Sequence, residues 1–495
     1  MVVRKDDTMK KKLTKIVRLS LFAVLLCACQ KQPIENVVIS KNEQSLNTSI
    51  LQEADPHVEQ NVKYTDLFTS TDGSIQYSLN IDQTFPAVAM PVVEVIPHYL
   101  TGEDVKRVAQ ILLEDAQFFE QEPLYAPRYS KAQLQDKIYF LSQYANSESL
   151  EQLYGVDPVM NSSELDNIKW YINHYTKQLE TAPEEDPHIP CEWSFKEEDN
   201  YFKDISEENR VICSTAEKGN ITYSLIAVTR NEEDFKLNGI TIDLGSGVDL
   251  TTTEKAIYRS KLCRTEEPTE EQILAVKTKS QELLDRMDLG DWLVVDAYSE
   301  TAYCGDIPEY TIRVEATPVL AGIPALGGQS INNLTGTHTY VSNYYMTYAY
   351  FLFSANGELV FFGMDSPITI KNIINANVAT LSMDSLLNRL KTHLSLTEIE
   401  AGYGIPGGFY ELYRSYAGEE LECRVELCEL NYGLGRIRVR DSEESYYYLP
   451  VLSCKGKAEY YGKDSGRFYT SSSEYGNEVS ALVWINAVDG TIVEG

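Results

Sequence analysis

Three hairpin signals restrict the fold of this chain more than any other feature. Each consists of an apolar stretch, a Gly-containing pair and a second apolar stretch, and the pairs are Asp72-Gly73, Asn356-Gly357 and Asp489-Gly490. Asp-Gly and Asn-Gly accept the positive φ that two-residue hairpin turns require, so the pattern predicts antiparallel strands at three separated places. The second and third copies also share flanking residues, which is consistent with duplicated units or with a common hairpin signature.

Amphipathic helices are predicted between the strand groups. One predicted helix starts at Thr101, with Asp104 near the position of a capping-box partner. A second starts at Thr269, with Gln272 as its capping partner. Further helices are predicted at 130–144, 162–180 and 382–394. The apolar residues expected along the helix faces are Val105, Val108, Ile111, Leu112 and Phe119 in the first helix, Ile273, Val276, Leu283 and Met287 in the helix at 268–287, and Leu386, Leu387, Leu390 and Leu394 in the last.

The order of these elements indicates the fold class. The helices at 268–288 and 382–395 are each followed by several strands. This order predicts an α+β fold with repeated units, each a helix packed on an antiparallel β-meander. A doubly wound nucleotide-binding fold is excluded because the strands cluster instead of alternating singly with helices.

The N-terminus has the pattern of a secretory signal peptide. A basic segment precedes roughly ten apolar residues between Ile16 and Ala28, and this run is shorter than the about 20 residues of a membrane-spanning helix. The run ends in Leu26-Cys27-Ala28-Cys29, which resembles the lipobox of bacterial lipoproteins. The resemblance implies that Cys29 is lipidated and holds the chain at the extracytoplasmic face of the cell membrane, with two or three acyl chains for a stable anchor. The alternative is an ordinary cleaved signal.

These patterns divide the chain into five predicted segments. Residues after Cys29 are polar and lack periodicity, as expected of a flexible tether. The predicted segments are a lipoprotein signal peptide (1–28), a tether (29–62), an N-terminal α+β domain (63–260), a helix-plus-meander unit (261–375) and a C-terminal helix-plus-meander unit (376–495).

Charge excludes one large class of partners. The chain has 43 Lys and Arg against 74 Asp and Glu, a formal net charge of −31. Such a surface repels phosphate backbones and anionic lipid headgroups, so nucleic-acid binding is not expected. The charge suits a cationic partner, which it does not identify.

No motif predicts catalysis or metal binding. The chain contains no GxSxG, HExxH or CxxC motif, so no catalytic residue, metal site or cofactor is predicted. The acidic clusters at 184–186 and 197–199 lack calcium-loop spacing and are interpreted as solvated loops. The cysteines beyond Cys29 have two equally supported interpretations. They form local disulfides, between Cys191 and Cys213 and between Cys423 and either Cys428 or Cys454, or they are buried thiols.

Two Gly/Pro-rich loops and two aromatic runs are candidate binding elements. The loops at 318–336 and 401–408 each contain Gly-Ile-Pro, and such long loops either contact partners or serve as plain connections. Their candidate residues are Gly322, Ile323, Pro324, Gly404, Ile405 and Pro406. The aromatic runs at 340–353 and 445–450 predict either packed strands or a binding face for sugars or peptides.

The C-terminal sequence carries a family resemblance. The series RIRVR, YYYLPVLSCKG and SALVWINAVDGTIVEG resembles the ending of a family of uncharacterised lipoproteins from Gram-positive gut bacteria. It is similar, more loosely, to PepSY-like modules and to extracytoplasmic regulators of sensor histidine kinases. The resemblance covers mainly 380–495, with an echo at 270–365, and implies no catalytic residue. The PepSY-like similarity implies protease inhibition or regulation of a membrane partner.

Together these features predict a membrane-anchored extracytoplasmic bacterial lipoprotein that is non-enzymatic and binds or regulates an envelope protein partner. A solute- or glycan-binding lipoprotein that feeds a transporter is the first alternative, and a hydrolase of wall or host polymers is the second. The oligomeric state is not predicted.

Overall fold

The computed structural model describes most of the chain beyond residue 48. The described ranges are 49–53, 60–71, 73, 75–85, 88–120, 129–154, 158–197, 209–219, 221–232, 235–244, 259–263, 266–304, 307–326, 347–396, 418–438, 445–469, 478–479 and 484–493. Among these residues no helix has both the length and the apolar character needed to cross a membrane.

The helices begin where the sequence supplies N-caps. Thr101, Ser130 and Thr269 each cap a helix through a complete capping box, in which the cap side chain and the third helical residue bond each other's backbone N–H. The helices are α1 (Gly102–Leu112), α2 (Lys131–Gln143), α3 (Ser147–Tyr154), α4 (Pro158–Leu179), α5 (Glu270–Met287) and α6 (Met383–Leu396).

The strands occupy more of the described chain than the helices do. In order they are β1 (Gln60–Thr69), β2 (Ile75–Phe85), β3 (Val92–Pro97), β4 (Gln117–Phe119), β5 (Pro190–Cys191), β6 (Lys196–Glu197), β7 (Asn209–Lys218), β8 (Ile221–Glu232), β9 (Phe235–Leu244), β10 (Trp292–Cys304), β11 (Ile307–Leu320), β12 (Ile323–Pro324), β13 (Tyr348–Phe353), β14 (Leu359–Asp365), β15 (Ile368–Asn375), β16 (Leu421–Arg438), β17 (Tyr446–Gly462), β18 (Phe468–Tyr469), β19 (Glu478–Val479), β20 (Trp484–Asn486) and β21 (Ile492–Val493).

The first sheet is built from the middle of the chain. Its order is β10-β11-β13-β14-β9-β8-β7-β4-β5, with β12 paired to β11 and β6 to β7, and its ladders are antiparallel. Helices α1 and α5 cover one face and form with it the largest hydrophobic core. The buried residues that α1 and α5 contribute to this core are Val105, Val108, Ala109, Leu112, Val276, Leu283, Leu284 and Met287.

The second sheet joins strands from both ends of the chain. Its main order is β1-β2-β16-β17-β20-β21, and β3 pairs with both β17 and β15. The pairing of β2 with β16 is parallel, unlike the other ladders of this sheet. Helix α6 packs its leucines on this sheet, as its apolar spacing predicts; the buried residues are Leu386, Leu387, Leu390 and Leu394. Strands of the predicted N-terminal domain and of the C-terminal unit therefore lie in one sheet.

A short hairpin connects the two sheets. Ala321 and Gly322 have φ of 52° and 83° and form the turn between β11 and β12. Beyond β12, Ala325 bridges Leu434 of β16, and the backbone N–H of Leu326 donates to the Leu434 carbonyl at 2.7 Å. The first Gly-Ile-Pro segment thus ties the first sheet to the second.

A three-helix insertion has its own core. Helices α2, α3 and α4 lie between β4 and β5, which pair with each other. The core of the insertion is formed by Leu134, Leu141, Leu150, Leu153, Ile168 and Tyr175. Because β4 and β5 close the insertion at its base, the helices extend from one end of the first sheet without interrupting its ladder.

The predicted α+β class and the three hairpins are confirmed. Gly73, Gly357 and Gly490 each have φ of 76°, and the strands flanking them pair in antiparallel order. The expected helical position of Phe119 is wrong, because α1 ends at Leu112 and Phe119 lies in β4. A helix-then-meander order recurs as α5 with β10, β11, β13 and β14, and as α6 with β16, β17, β20 and β21; that these segments are repeated units stays a prediction.

The six cysteines whose side chains are described are thiols. Cys191 and Cys213 are half-buried, Cys428 is exposed, and the other three, Cys263, Cys423 and Cys454, are buried. Of the alternatives that the sequence left open, the structure has the thiols rather than the local disulfides.

Candidate functional site

The candidate site is a group of polar and aromatic side chains on the face of the first sheet opposite α1 and α5. Along β11, Ile312 and Val314 enter the core while Arg313 and Glu315 point to the other face, as strand alternation dictates. Cross-strand register places Tyr298 opposite Arg313 and Tyr350 opposite Glu315. We call Tyr298, Glu300, Arg313, Glu315 and Tyr350 the Arg313 cluster.

Arg313 is held by two carboxylates and one ring. Its Nε donates to Oε1 of Glu315 at 2.8 Å, and its Nη1 lies 3.5 Å from Oε1 of Glu300. Its guanidinium carbon lies 4.7 Å from the centre of the Tyr350 ring, within cation–π range. The Tyr298 hydroxyl donates to the same Glu315 oxygen at 3.2 Å. These contacts fix the position of a charged side chain that is only 25 % exposed.

The Tyr350 ring belongs to a stack of aromatic rings on this face. It lies nearly parallel to Tyr348 at 5.7 Å and to Phe361 at 5.0 Å between ring centres. Opposite Tyr350 on β14 is Gly363, where a Cβ would lie 2.9 Å from a carbon of the Tyr350 ring. The glycine therefore makes the space in which the ring lies flat on the sheet.

Burial and charge set the protonation states of the cluster. Burial acts to lower the pKa of the Arg313 guanidinium, but Glu300 and Glu315 outweigh it, so the pKa of Arg313 is raised and its charge is retained. Burial, with a smaller effect of Glu315, raises the pKa of Tyr298. Burial also raises the pKa of Tyr350 to about 12, against the opposing charge of Arg313. At neutral pH both tyrosines keep their hydroxyl protons.

A similar group on the second sheet is more open to solvent. Arg424 on β16 donates from Nε to Glu422 at 3.0 Å and lies over the Tyr461 ring at 4.4 Å. This repeats the way in which Arg313 uses a glutamate two residues away and a tyrosine of the neighbouring strand. The Arg424 side chain is 52 % exposed, however, so solvent screens its interactions more strongly. The Arg313 cluster is the more shielded from solvent of the two.

The candidate loop residues lie away from this cluster or outside the described residues. Gly322 is exposed at its turn. Ile323 and Pro324 form β12 and are half-buried, and Ile323 packs against the core between the sheets. Their role in partner binding stays a prediction. Cys29 and the second loop, Gly404, Ile405 and Pro406, lie outside the described residues.

The aromatic runs contribute both packing and surface. In the described part of the first run, Phe351 and Phe353 are buried in the core and Tyr348 and Tyr350 lie on the candidate face. In the second run Tyr446 and Tyr448 are buried, and the Tyr448 hydroxyl donates to Thr347 at 3.3 Å. Strand packing is therefore confirmed for the buried residues of each run, and a binding face on the alternate residues stays a prediction.

Two residues of the first acidic cluster have structural partners. In the first acidic cluster, Glu184 pairs with Lys131, and Asp186 accepts a hydrogen bond from Gln133 at 2.7 Å, both at the start of α2. Within the described residues no group of three or more His, Cys, Asp or Glu side chains is placed to hold a metal ion.

Sequence reasoning missed Arg313, Glu300, Glu315 and Gly363. The available signal was the stretch TIRVEA, in which charged residues of opposite sign alternate with apolar ones in a strand. Alternation predicts that both charges share a face, but the neighbouring strands that complete the cluster are set by tertiary pairing.

Comparisons with known proteins leave the function open. No protein-family model matches the chain, and no curated protein matches it. Among solved structures, the crystal structure of an uncharacterized protein from Eubacterium rectale ATCC 33656 aligns with 92 % of this chain and 98 % of its own length, at 10 % sequence identity and a TM-score of 0.30. At that TM-score the match does not establish a shared fold.

Proposed function

We propose that this chain is a non-enzymatic lipoprotein, anchored through Cys29 at the extracytoplasmic face of the membrane, that binds and regulates an envelope protein through the Arg313 cluster. The observation that carries the binding proposal is Arg313 itself, which is three-quarters buried between two glutamates and a tyrosine ring on a sheet face directed away from the core. The lipobox resemblance at Cys29 supports the location.

The composition of the cluster supports protein binding. Tyr and Arg are enriched among the residues that dominate binding energy at protein interfaces, where they occupy ordered positions shielded from water. In this chain the hydrogen bonds to Glu315 and Glu300 fix Arg313 in advance. Because these side chains are already held in place, binding of a partner costs little conformational entropy here, and this favours affinity.

The acidity of the face supports a partner with basic residues. Glu300, Glu315 and the exposed Asp296 lie on the same side of β10 and β11 as Arg313, so this face carries three carboxylates and one guanidinium. The whole chain has a net charge of −31, which steers cationic surfaces toward it.

Site-specific photo-crosslinking in intact cells tests this function. A photoreactive residue replaces Val295, which is 45 % exposed on β10 beside the cluster, and a control replaces Tyr139, which is 70 % exposed on α2. We expect a discrete adduct with a membrane or envelope protein from position 295 only. Cys29→Ala should move the chain from the membrane fraction to the soluble fraction and abolish the adduct. Equal adducts from both positions, or membrane retention of Cys29→Ala, would contradict the proposal.

Glycan binding is a second candidate because of the stacked rings. Tyr348, Tyr350 and Phe361 form a flat aromatic surface of the kind on which sugar rings pack. Titration of the full chain with soluble cell-wall glycan fragments separates the two functions. Saturable glycan binding that is lost in Tyr348→Ala, without a protein adduct in cells, would favour this candidate over the first.

A further inference from the structure

Strand β10 ends the first sheet with an open edge. It pairs with β11 alone in the described part of the chain. From Val295 to Ala302 its side chains are exposed or half-buried, whereas the neighbouring β11 has buried residues along its length. Every strand has N–H and C=O groups on both sides, so the outer side of β10 offers a row of them to another strand.

The outer edge of β10 is regular over the residues that could pair with another strand. A bulge between Val294 and Asp296 shifts the register once, and the ladder with β11 then continues without a shift from Asp296 to Cys304. The seven residues Asp296–Ala302 span roughly 20–25 Å, the length of an ordinary strand. An added strand of seven residues therefore finds a complete edge.

The negative charge of this edge favours a basic segment as the added strand. Asp296, Tyr298 and Glu300 share the face of the Arg313 cluster, and Asp296 stands directly opposite Glu315. Like charges opposite each other destabilise a sheet, and Lys or Arg side chains on an added strand would relieve this repulsion. A second copy of β10 would bring the same carboxylates to the edge, so self-pairing is disfavoured.

We propose that β10 is a docking edge to which the partner adds an extended basic segment as a further strand of the first sheet. This inference rests on the proposed function and specifies how the partner is held: backbone hydrogen bonds along β10 supply binding, and alternate Lys or Arg side chains over Asp296, Glu300 and Glu315 supply selectivity. The Tyr298 ring lies between the two carboxylates of β10 on the same face.

The other open edges of the described strands fit this role less well. Strand β15 has two register shifts in its ladder with β3 and carries Lys371. Strand β1 carries Lys63, and its Asp66 is engaged by Lys391 of α6. Lysine on an edge strand discourages pairing, and it would repel a basic segment.

Peptide binding to the full chain in detergent tests the proposal. The probe is the peptide Lys-Thr-Lys-Thr-Lys-Thr-Lys. The control is the same peptide with N-methyl groups on alternate residues, which keeps the charges but removes the backbone N–H donors on one side of the strand. We expect saturable binding of the first peptide and at least tenfold weaker binding of the second. In the first complex, amide hydrogen exchange should be at least tenfold slower at those amides of residues 296–302 that point away from β11. Equal affinity for both peptides, or unchanged exchange, would overturn strand addition.

A pair of charge variants tests selectivity. Asp296→Lys should weaken the unmethylated peptide at least tenfold, while Glu151→Lys, the same change in net charge on exposed α3, should leave the affinity within about twofold. An equal loss of peptide affinity in both variants would show that only the net charge of the chain matters, and this would overturn the proposal. Self-association of the full chain that Asp296→Lys alters would assign the edge to a second copy and also overturn it.

Failure of this inference is distinguishable from failure of the proposed function. An adduct from position 295 that depends on Arg313, together with no strand addition by the peptide, would contradict only the docking edge. Absence of the adduct in cells, together with normal peptide binding, would contradict the proposed function and leave the docking edge supported.

Discussion

The ring of Tyr350 lies over Gly363, its cross-strand neighbour, so closely that a Cβ on the glycine would be 2.9 Å from a ring carbon and 3.0 Å from the Phe361 ring. Real Cβ atoms do not approach carbon atoms to that distance. The aromatic stack of the candidate face therefore depends on a residue without a side chain, and the order of the Arg313 cluster depends on the stack because Arg313 packs on Tyr350.

Gly363→Ala should displace both rings. Because the sheet holds the backbone on both sides of Gly363, we expect a loss of about 1–3 kcal/mol in the free energy of unfolding, measured by urea denaturation. Gly102→Ala is the matched control, since its Cβ would meet Phe195 at an ordinary 3.4 Å, and it should change stability by less than about 0.5 kcal/mol. A neutral Gly363→Ala would show that the rings shift at no cost.

Arg313→Met should leave two half-buried carboxylates without their cation. We expect a loss of about 2–3 kcal/mol in the free energy of unfolding. In a background that carries Glu300→Gln and Glu315→Gln, the same change should cost less than about 1 kcal/mol, because the neutral amides need no counter-charge. Equal costs in both backgrounds would show that Arg313 acts through packing alone.

Asp104 should make the stability of α1 depend on pH. Burial acts to raise the pKa of this carboxyl, but hydrogen bonds from the Thr101 backbone and hydroxyl, helped by His98, outweigh it, so its pKa lies below the ordinary 3.8. A carboxyl with a lowered pKa in the folded state stabilises the fold above its unfolded pKa and loses that contribution as the pH falls through the folded pKa. The stability difference between wild type and Asp104→Asn, about 1–2 kcal/mol at pH 5, should therefore shrink below about pH 4.

Urea denaturation between pH 5 and pH 2.5 measures this dependence. Gln272→Ala removes the equivalent side chain from the capping box of α5 without removing a charge, so its cost should stay constant over the same range. A difference for Asp104→Asn that does not change with pH would contradict the assigned role of the carboxylate.

The cysteines should react in two groups. Burial raises the pKa of the Cys263 and Cys454 thiols to about 12 and raises that of Cys423 as well, so their thiolate fraction at neutral pH is very small. We expect N-ethylmaleimide at pH 7.5 to modify exposed Cys428 first and these three at least about 100-fold more slowly, as measured by peptide mass mapping. In urea all should react alike. Native-state modification of a buried thiol at the rate of Cys428 would contradict the described cores.

Local elements of the fold could be predicted because their signals are local. Gly357 adopts positive φ in its turn, Thr269 caps α5 through Gln272, and the leucines of α6 repeat at helical spacing, each as the residues themselves require. The helix expected to reach Phe119 ends earlier because Phe118 and Phe119 pair with β5, a contact far along the chain.

The sheet assembly could not be predicted in the same way. The parallel pairing of β2 with β16 joins residues such as Tyr77 and Val425, which are nearly 350 positions apart, and apolar alternation in either strand is compatible with many partners. The Arg313 cluster was missed for the same reason. Arg313 and Glu315 are visible in one strand, but Tyr298 and Tyr350 reach them only through pairing on both sides of β11.

The in-cell adduct from position 295, compared in two chains, tests most directly whether the partner binds through the Arg313 cluster. One is otherwise wild type, and the other carries Arg313→Met, Glu300→Gln and Glu315→Gln, which should retain the fold while removing the charged centre of the cluster. We expect the triple variant to stay in the membrane fraction and to lose at least about nine-tenths of the adduct, a change of about 1.4 kcal/mol in binding free energy. An adduct of undiminished yield from the triple variant would contradict partner binding through the Arg313 cluster.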